Sequence, residues 1–327
     1  MTSPLHAVTV SGALASHDRY DYSPIGDAHH GLWPGGKKLA VYVAVGIEDY
    51  HFGSGHAENL LDGVPAPDLV NASWRDYGNR VGAFRLLKRL DSFGIAPTVL
   101  LNTAVYDSAP ELVSEARRLG AEIVGHGISN SDSLSGLDEA KERAYLKTVA
   151  ARICEEEGTA PLGWSSPWLS HTENSLDLLV ENGYRYLMDL RLDDQPVWLK
   201  TRGMPLLAMP YALELNDSTS MIGRHVSAAD FADMIIDEFD ELLLAADEQP
   251  LVMSIVVHSF ISGAPFRLRQ LTRALEHMTT RGSDVWFTQP RAIYDVVRKR
   301  AAAPVSRTSD IDDIDSTKRE AAHHDIS

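Results

Sequence analysis

Apolar positions along this chain fall into two rhythms that alternate. LAVYVAVGIE (39–48) and PLVMSIVVHSF (250–260) are dense runs rich in β-branched residues, as expected of strands buried on both faces. Between and after them come stretches of helical period, such as VGAFRLLKRLDSFG (81–94), with Phe84, Leu87 and Leu90 on one face and Gly94 as the stop. Further strands are expected at APTVLLNT, AEIVGHG, PLGWSSPWL, YRYLMDL, LLAMPYAL and VWFTQP. Helices are expected at PELVSEARRLG, SLSGLDEAKERAYLKTVAARICEEEG, TENSLDLLVENG, SAADFADMIIDEFDELLLAA, FRLRQLTRALEHMTTRG and RAIYDVVRKR. Asp138 and Thr172 stand where helix N-caps belong. Such regular alternation predicts an α/β protein with a parallel sheet and helices outside it.

Three regions follow from this pattern. Residues 1–36, polar and ending in WPGGKK, read as an N-terminal arm; 37–300 form one barrel-sized domain; 301–327 lack an apolar period and are expected to be a disordered tail. His323 and His324 in that tail read as solvated rather than metal-binding. The polar stretch from Asp49 to Asp76 is expected to be a loop long enough to close the barrel mouth, and ELNDSTS (214–220) a polar loop.

Composition narrows the function. A formal net charge of −16 argues against a nucleic-acid surface and against docking on anionic lipid, both of which need clustered Lys and Arg. Cys154, the one cysteine, excludes an internal disulfide and a Cys-based zinc site, and is expected to be a buried or half-buried thiol. No signal peptide and no membrane-spanning run is apparent, so a cytoplasmic location is the default.

In α/β barrels chemistry gathers at the carboxyl ends of the strands. Polar residues there are Glu48 and Asp49 after the first strand, His126 with Asn130 four positions on, Ser165, Ser166 and Trp168 in GWSSPW, Asp189 after YRYLM, and His258 after VMSIVV. Each alone reads as well as a cap, an ion-pair partner or a structural residue. Together, an acid pair and two histidines on separate strands predict a site, because charged groups near a core are costly unless paired or used. Asp189, Asp193 and Asp194 either position substrate or pair with Arg185, Arg191 and Lys200.

GIEDY, EIVGHGISNSD, GWSSPW, GYRYLMDLRLDDQPVWL and VMSIVVH, in that order, resemble the NodB-homology motifs of the polysaccharide-deacetylase superfamily. WRDYGNRVGAFRLL, GWSSPW and MPYALELND are similar to the branch holding cofactor-independent allantoinases and cyclic-imide hydrolases. The resemblance covers roughly residues 36–298 and implies a distorted (β/α) barrel of about seven parallel strands. It also implies a divalent metal held by one Asp and two His, a neighbouring acid as base and the late histidine, His258, as acid. Two departures stand out: Asn130 where the second histidine is expected, and Ser165 where an arginine is expected. Asn is a poor zinc ligand, and that branch is associated with metal-free activity. No metal is therefore expected to be required; the alternative is a weak site for Zn2+ or another divalent ion drawn from Glu48, Asp49, His126 and Asn130.

The expected reaction is hydrolysis of a non-peptide amide C–N bond in a small molecule (a cyclic amide, imide or ureide). Glu48 or Asp49 would activate water. His126, Asn130 and backbone N–H groups of HGISN would hold the oxyanion. Tyr77, Trp164 and Trp168 would wall the pocket, and Arg80 would anchor substrate or pair with Asp76. The alternatives are a metal-dependent deacetylase of N-acetylated sugars, and a non-catalytic binding protein on a decayed barrel. A homo-oligomer is expected by resemblance, although no segment reads as an interface.

Overall fold

The computed structural model describes residues 17–25 and 31–302. The expectations for the tail and for His323 and His324 lie outside the described residues. Among the described residues nine strands form one sheet in the order β6-β7-β5-β4-β3-β2-β1-β8, with β9 paired to β1. All pairs are parallel except the antiparallel β6–β7. The strands are β1 (Leu39–Ile47), β2 (Thr98–Leu101), β3 (Glu122–Gly125), β4 (Gly163–Trp164), β5 (Tyr186–Leu187), β6 (Val197–Leu199), β7 (Leu206–Ala208), β8 (Leu251–His258) and β9 (Val285–Phe287). The gap between β7 and β8 is bridged by the segment after β7. There Asn216 pairs with Val256, and the Val256 N–H donates to the Leu215 carbonyl. The result is the expected distorted (β/α) barrel, with β6 the strand that the periodicity missed.

Alternation along the strands sorts the core into two compartments. Leu39, Val41, Val43, Val45 and Ile47 face outward with Val99, Leu101 and Leu187. Over them pack α2 (Ala83–Ser92), α4 (Pro110–Arg118), α5 (Glu139–Glu157), α7 (Ala228–Ala245) and α8 (Pro265–Thr280). Ala40, Tyr42 and Ala44 face inward with Leu100, Val124, Tyr186, Met188, Leu207, Val252 and Val256, filling the lumen. Ile293, Tyr294 and Val297 of α9 (Pro290–Ala302) and Trp33 join this inner cluster at the amino ends of the strands.

Several local expectations need correction. The stretch 49–76 is not all loop, since α1 (Leu69–Tyr77) begins at the Asp68 cap and runs through a π-helical turn, Gly78–Gly82, into α2. ELNDSTS opens a second π-helical turn, Ser218–Gly223. Thr172 is not the cap of α6 (Ser175–Glu181): it precedes that position and accepts the Asn174 N–H instead. Asp138 does cap α5, accepting the Lys141 N–H at 2.8 Å. Cys154 is exposed, because it falls on the solvent side of α5 next to buried Ile153. The described part of the arm is docked, with Arg19 paired to Asp177 of α6 at 2.9 Å. The short α3 (Val105–Ser108) lies between β2 and α4.

Candidate active site

The alternation that buries Tyr42 and Ala44 in the lumen continues past the end of β1 and places the side chain of Glu48 there too. His126 follows inward-facing Val124 by two positions, and His258 follows Val256 by two. The three side chains converge. Glu48 Oε1 lies 3.5 Å from His126 Nε2 and 3.4 Å from His258 Nε2, and all three residues are buried. Gly46 leaves room for this: a Cβ there would lie 2.7 Å from the His258 ring.

Each member is held from behind. His258 Nδ1 lies 2.6 Å from Asp217 Oδ1, and Asp217 also accepts the backbone N–H of His258 and the hydroxyl of Ser262. His126 Nδ1 faces the Ser165 carbonyl oxygen at 2.8 Å. A carbonyl can only accept, so Nδ1 donates to it, and this turns Nε2 toward Glu48. Tyr50 donates to Glu48 Oε2 at 2.6 Å and accepts from Asn130 Nδ2 at 2.8 Å. Asn79, in the first π-helical turn, donates to the Glu48 carbonyl at 2.7 Å. The second π-helical turn begins one residue after Asp217. Such turns recur at functional sites because the extra residue re-aims side chains.

Electrostatics set a definite proton distribution. Burial alone would raise the Glu48 carboxyl, but the charge and hydrogen bond of His258 hold it below the usual carboxylate range. Burial alone would lower His258, but the Glu48 and Asp217 charges and the Asp217 hydrogen bond raise it well above an ordinary imidazole. At neutral pH the resting site is a carboxylate beside an imidazolium, able both to take and to give a proton.

The other residues singled out by sequence separate into three groups. Trp168 reaches the mouth, 41% exposed, with left-handed φ of 57° and its Nε1–H on the Asn130 carbonyl at 2.7 Å. Asn130 is buried beside Tyr50, its Oδ1 without a partner. Ser165 and Asp189 bond to each other beneath the site, and both are buried. Tyr77 and Arg80 do not join the cluster: Tyr77 accepts from Arg85 on the helix exterior, and Arg80 is exposed, with no ion pair to Asp76. Trp164 packs against Tyr184 in the outer core, so it walls no pocket. Of the three acids after β5, Asp194 pairs with Arg191 at 3.1 Å, well away from the site. The N–H groups of Ile128, Ser129, Asn130 and Ser131 are spent on Tyr145, Asp132, Asp49 and Ser129, which leaves none of these four for an oxyanion.

Sequence reasoning missed Asp217, Tyr50, Asn79 and Glu58. The Glu58 carboxylate accepts from the Ser218 hydroxyl at 2.8 Å, next to Asp217. The single bridge that sets Asp217 beside His258 leaves no periodic trace, whereas Tyr50 was legible as the next residue after the acid pair.

The carboxylate, histidine and amide set weighed for a metal does not fit one. Ligands of one zinc, each bonded at about 2.0–2.2 Å, stand roughly 3–4 Å from one another. The Asp49 carboxylate instead turns to Ser108 Oγ at 2.8 Å. Asn130 offers only a neutral amide oxygen, a poor ligand for zinc. Among the described residues no three His, Cys, Asp or Glu side chains form a metal-holding group.

Fold and site thus define a (β/α)-barrel enzyme with an acid–imidazole centre at the carboxyl ends of its strands. No family model matches the chain. Peptidoglycan deacetylase of Helicobacter pylori is 22% identical over 258 residues, 69% of this chain and 86% of that protein. The crystal structure of PuuE allantoinase superposes with a TM-score of 0.74 at 27% identity, covering 85% of this chain and 95% of that one. A probable polysaccharide deacetylase of Pseudomonas aeruginosa gives 0.71 at 26%, covering 83% and 94%. The chain is similar to polysaccharide deacetylases and to an allantoinase and shares their NodB-type fold, which makes it a hydrolase of carbon–nitrogen bonds other than peptide bonds. No helix among the described residues is long and apolar enough to cross a membrane.

Proposed function

We propose that this protein hydrolyses the amide bond of a small cyclic amide, imide or ureide by a water molecule activated at Glu48, with no metal in the reaction. One observation carries the reading: a single buried carboxylate oxygen faces the Nε2 atoms of two histidines, while the neighbouring acid is turned away. The likeness to an allantoinase supports the substrate class.

The geometry suits the following course. A water between Glu48 Oε1 and His126 Nε2 gives one hydrogen bond to each, which aims an oxygen lone pair at the substrate carbonyl carbon. Glu48 takes one proton as the C–O bond forms. His258, held by Asp217, gives its Nε2 proton to the ring nitrogen as the C–N bond breaks. The products are a carboxylic acid and a free amino or amide group. Proton transfer from Glu48 to His258 across their 3.4 Å contact restores the resting pair.

The test is turnover of hydantoins, succinimide-type imides, allantoin and N-acetylated sugars by protein analysed for bound metal, before and after chelation. Ring opening that survives complete metal removal is expected. Deacetylation of sugars that is lost with chelator and restored by zinc would sink the reading in favour of a metal-dependent deacetylase.

A further inference from the structure

β4 and β5 contribute two residues each to the sheet, and β3 meets β4 through the single pair Gly125–Trp164. Backbone pairing therefore runs out where the chain must hold the Ser165 carbonyl against His126. One buried carboxylate continues beyond the ladder. Asp189 accepts the Ser166 N–H at 2.9 Å and the Ser165 hydroxyl at 3.0 Å, and its side chain has no exposed surface. On its other oxygen lies His171 Nε2, 3.1 Å away. Burial pushes the His171 imidazole down, but the facing carboxylate of Asp189 and then the charge of Glu142 on α5 raise it above its ordinary value; Nε2 and Oδ2 meet as an ion pair and not as an aligned hydrogen bond. Glu142 in turn accepts the hydroxyls of Thr172 and Ser175, which fixes the chain on either side of the ring's exit.

We propose that His171 is a positioning residue for this site, acting on His126 from four contacts away from Glu48. Its imidazolium anchors Asp189; Asp189 anchors the backbone at 165–166; the Ser165 carbonyl fixes the His126 ring; and His126 faces Glu48. A carboxylate buried as deeply as Asp189 needs a compensating cation, and His171 is its one ion-pair partner among the described residues. The same loop carries Trp168 and Leu169, both in the left-handed region (φ 57° and 50°), a conformation that bulky residues keep only when their surroundings impose it. The brace holds that loop closed against Asn130 as well, through the Trp168 indole.

Only the catalytic consequence rests on the functional reading above; the orientation of His126 can be read without substrate. Histidine-selective 15N NMR of the intact protein should find neutral His126 protonated at Nδ1. In His171→Leu the ring should become a mixture of tautomers, while the His258 signals stay as in the wild type. On an amide that the wild type hydrolyses, kcat should fall about ten- to a hundredfold from misplacement of the ring. KM should change less than about twofold, since ground-state binding is untouched. His171→Lys, which keeps a cation beside Asp189, should restore part of both. If His171→Leu fails to fold, Asp189→Asn takes its place with the same expectations. A folded variant of either kind with an unchanged His126 tautomer overturns the proposal. A wild type inactive on every amide would refute the functional reading instead, and the NMR result would still decide this one.

Discussion

On one side of the barrel mouth, β1 and β8 run side by side for eight paired positions, from Leu39–Leu251 to Gly46–His258, and carry Glu48 and His258 at their ends. On the other side, β4 and β5 are two residues long, and the loops beyond them are held by Asp189, His171, Ser165 and Ser166. The first half sets the chain at its reactive groups through a ladder of uncharged backbone bonds, with Asp217 aiming the His258 ring. The second half places its group, His126, through a buried ion pair, which depends on the protonation of both partners.

The largest expected effect is in the ladder half. Glu48→Gln should lower kcat by about 10²–10⁴-fold, the range of a lost general base, with the circular-dichroism spectrum unchanged. Near-wild-type turnover would remove Glu48 from the mechanism. Asp217→Asn comes next. Without Asp217 the His258 imidazolium loses one of the two charges that raise it, so the alkaline fall of kcat should shift to lower pH. A pH–rate profile that does not move would detach Asp217 from the chemistry.

Stability should carry the same signature. His258 has a raised value in the folded state, so its contribution is complete below the ordinary imidazole range and is lost as pH rises through the folded value. Glu48 is depressed, so its contribution is present above the ordinary carboxylate range and is lost as pH falls. Urea midpoints should therefore be highest between those limits, and Glu48→Gln should flatten the acid side. In the short-strand half, Gly163→Ala would place a Cβ 2.3 Å from the Tyr186 ring and should cost about 1–3 kcal/mol by overpacking, read from the same urea curves. The smallest effect is expected of Asp49→Asn, whose carboxylate bonds only to half-exposed surroundings near Ser108; kcat should stay within about threefold. A large loss there would return the base assignment to Asp49.

The long strands were legible because burial on both faces leaves an unmistakable apolar run. The sequence left Glu48 and Asp49 open as the base; the period of two separates their directions, since Glu48 shares parity with Tyr42 and Ala44, Asp49 with Val45 and Ile47. The same parity sets Asp189 with Leu187, facing away from the lumen, which is why it braces a loop instead of meeting substrate. Asp217 was not legible. A one-residue bridge and an irregular π-helical turn place it, and neither has a repeat to detect. Tyr77 and Arg80 misled because a continuous helix from α1 into α2 carries them to its outer side, while Asn79 between them turns inward.

The plug formed by Trp33, Ile293, Tyr294 and Val297 has a kinetic consequence. With the amino end of the lumen filled by described residues, substrate and product would share the mouth at the carboxyl ends. On the function proposed above, each product must then leave before the next substrate enters, so product should inhibit competitively.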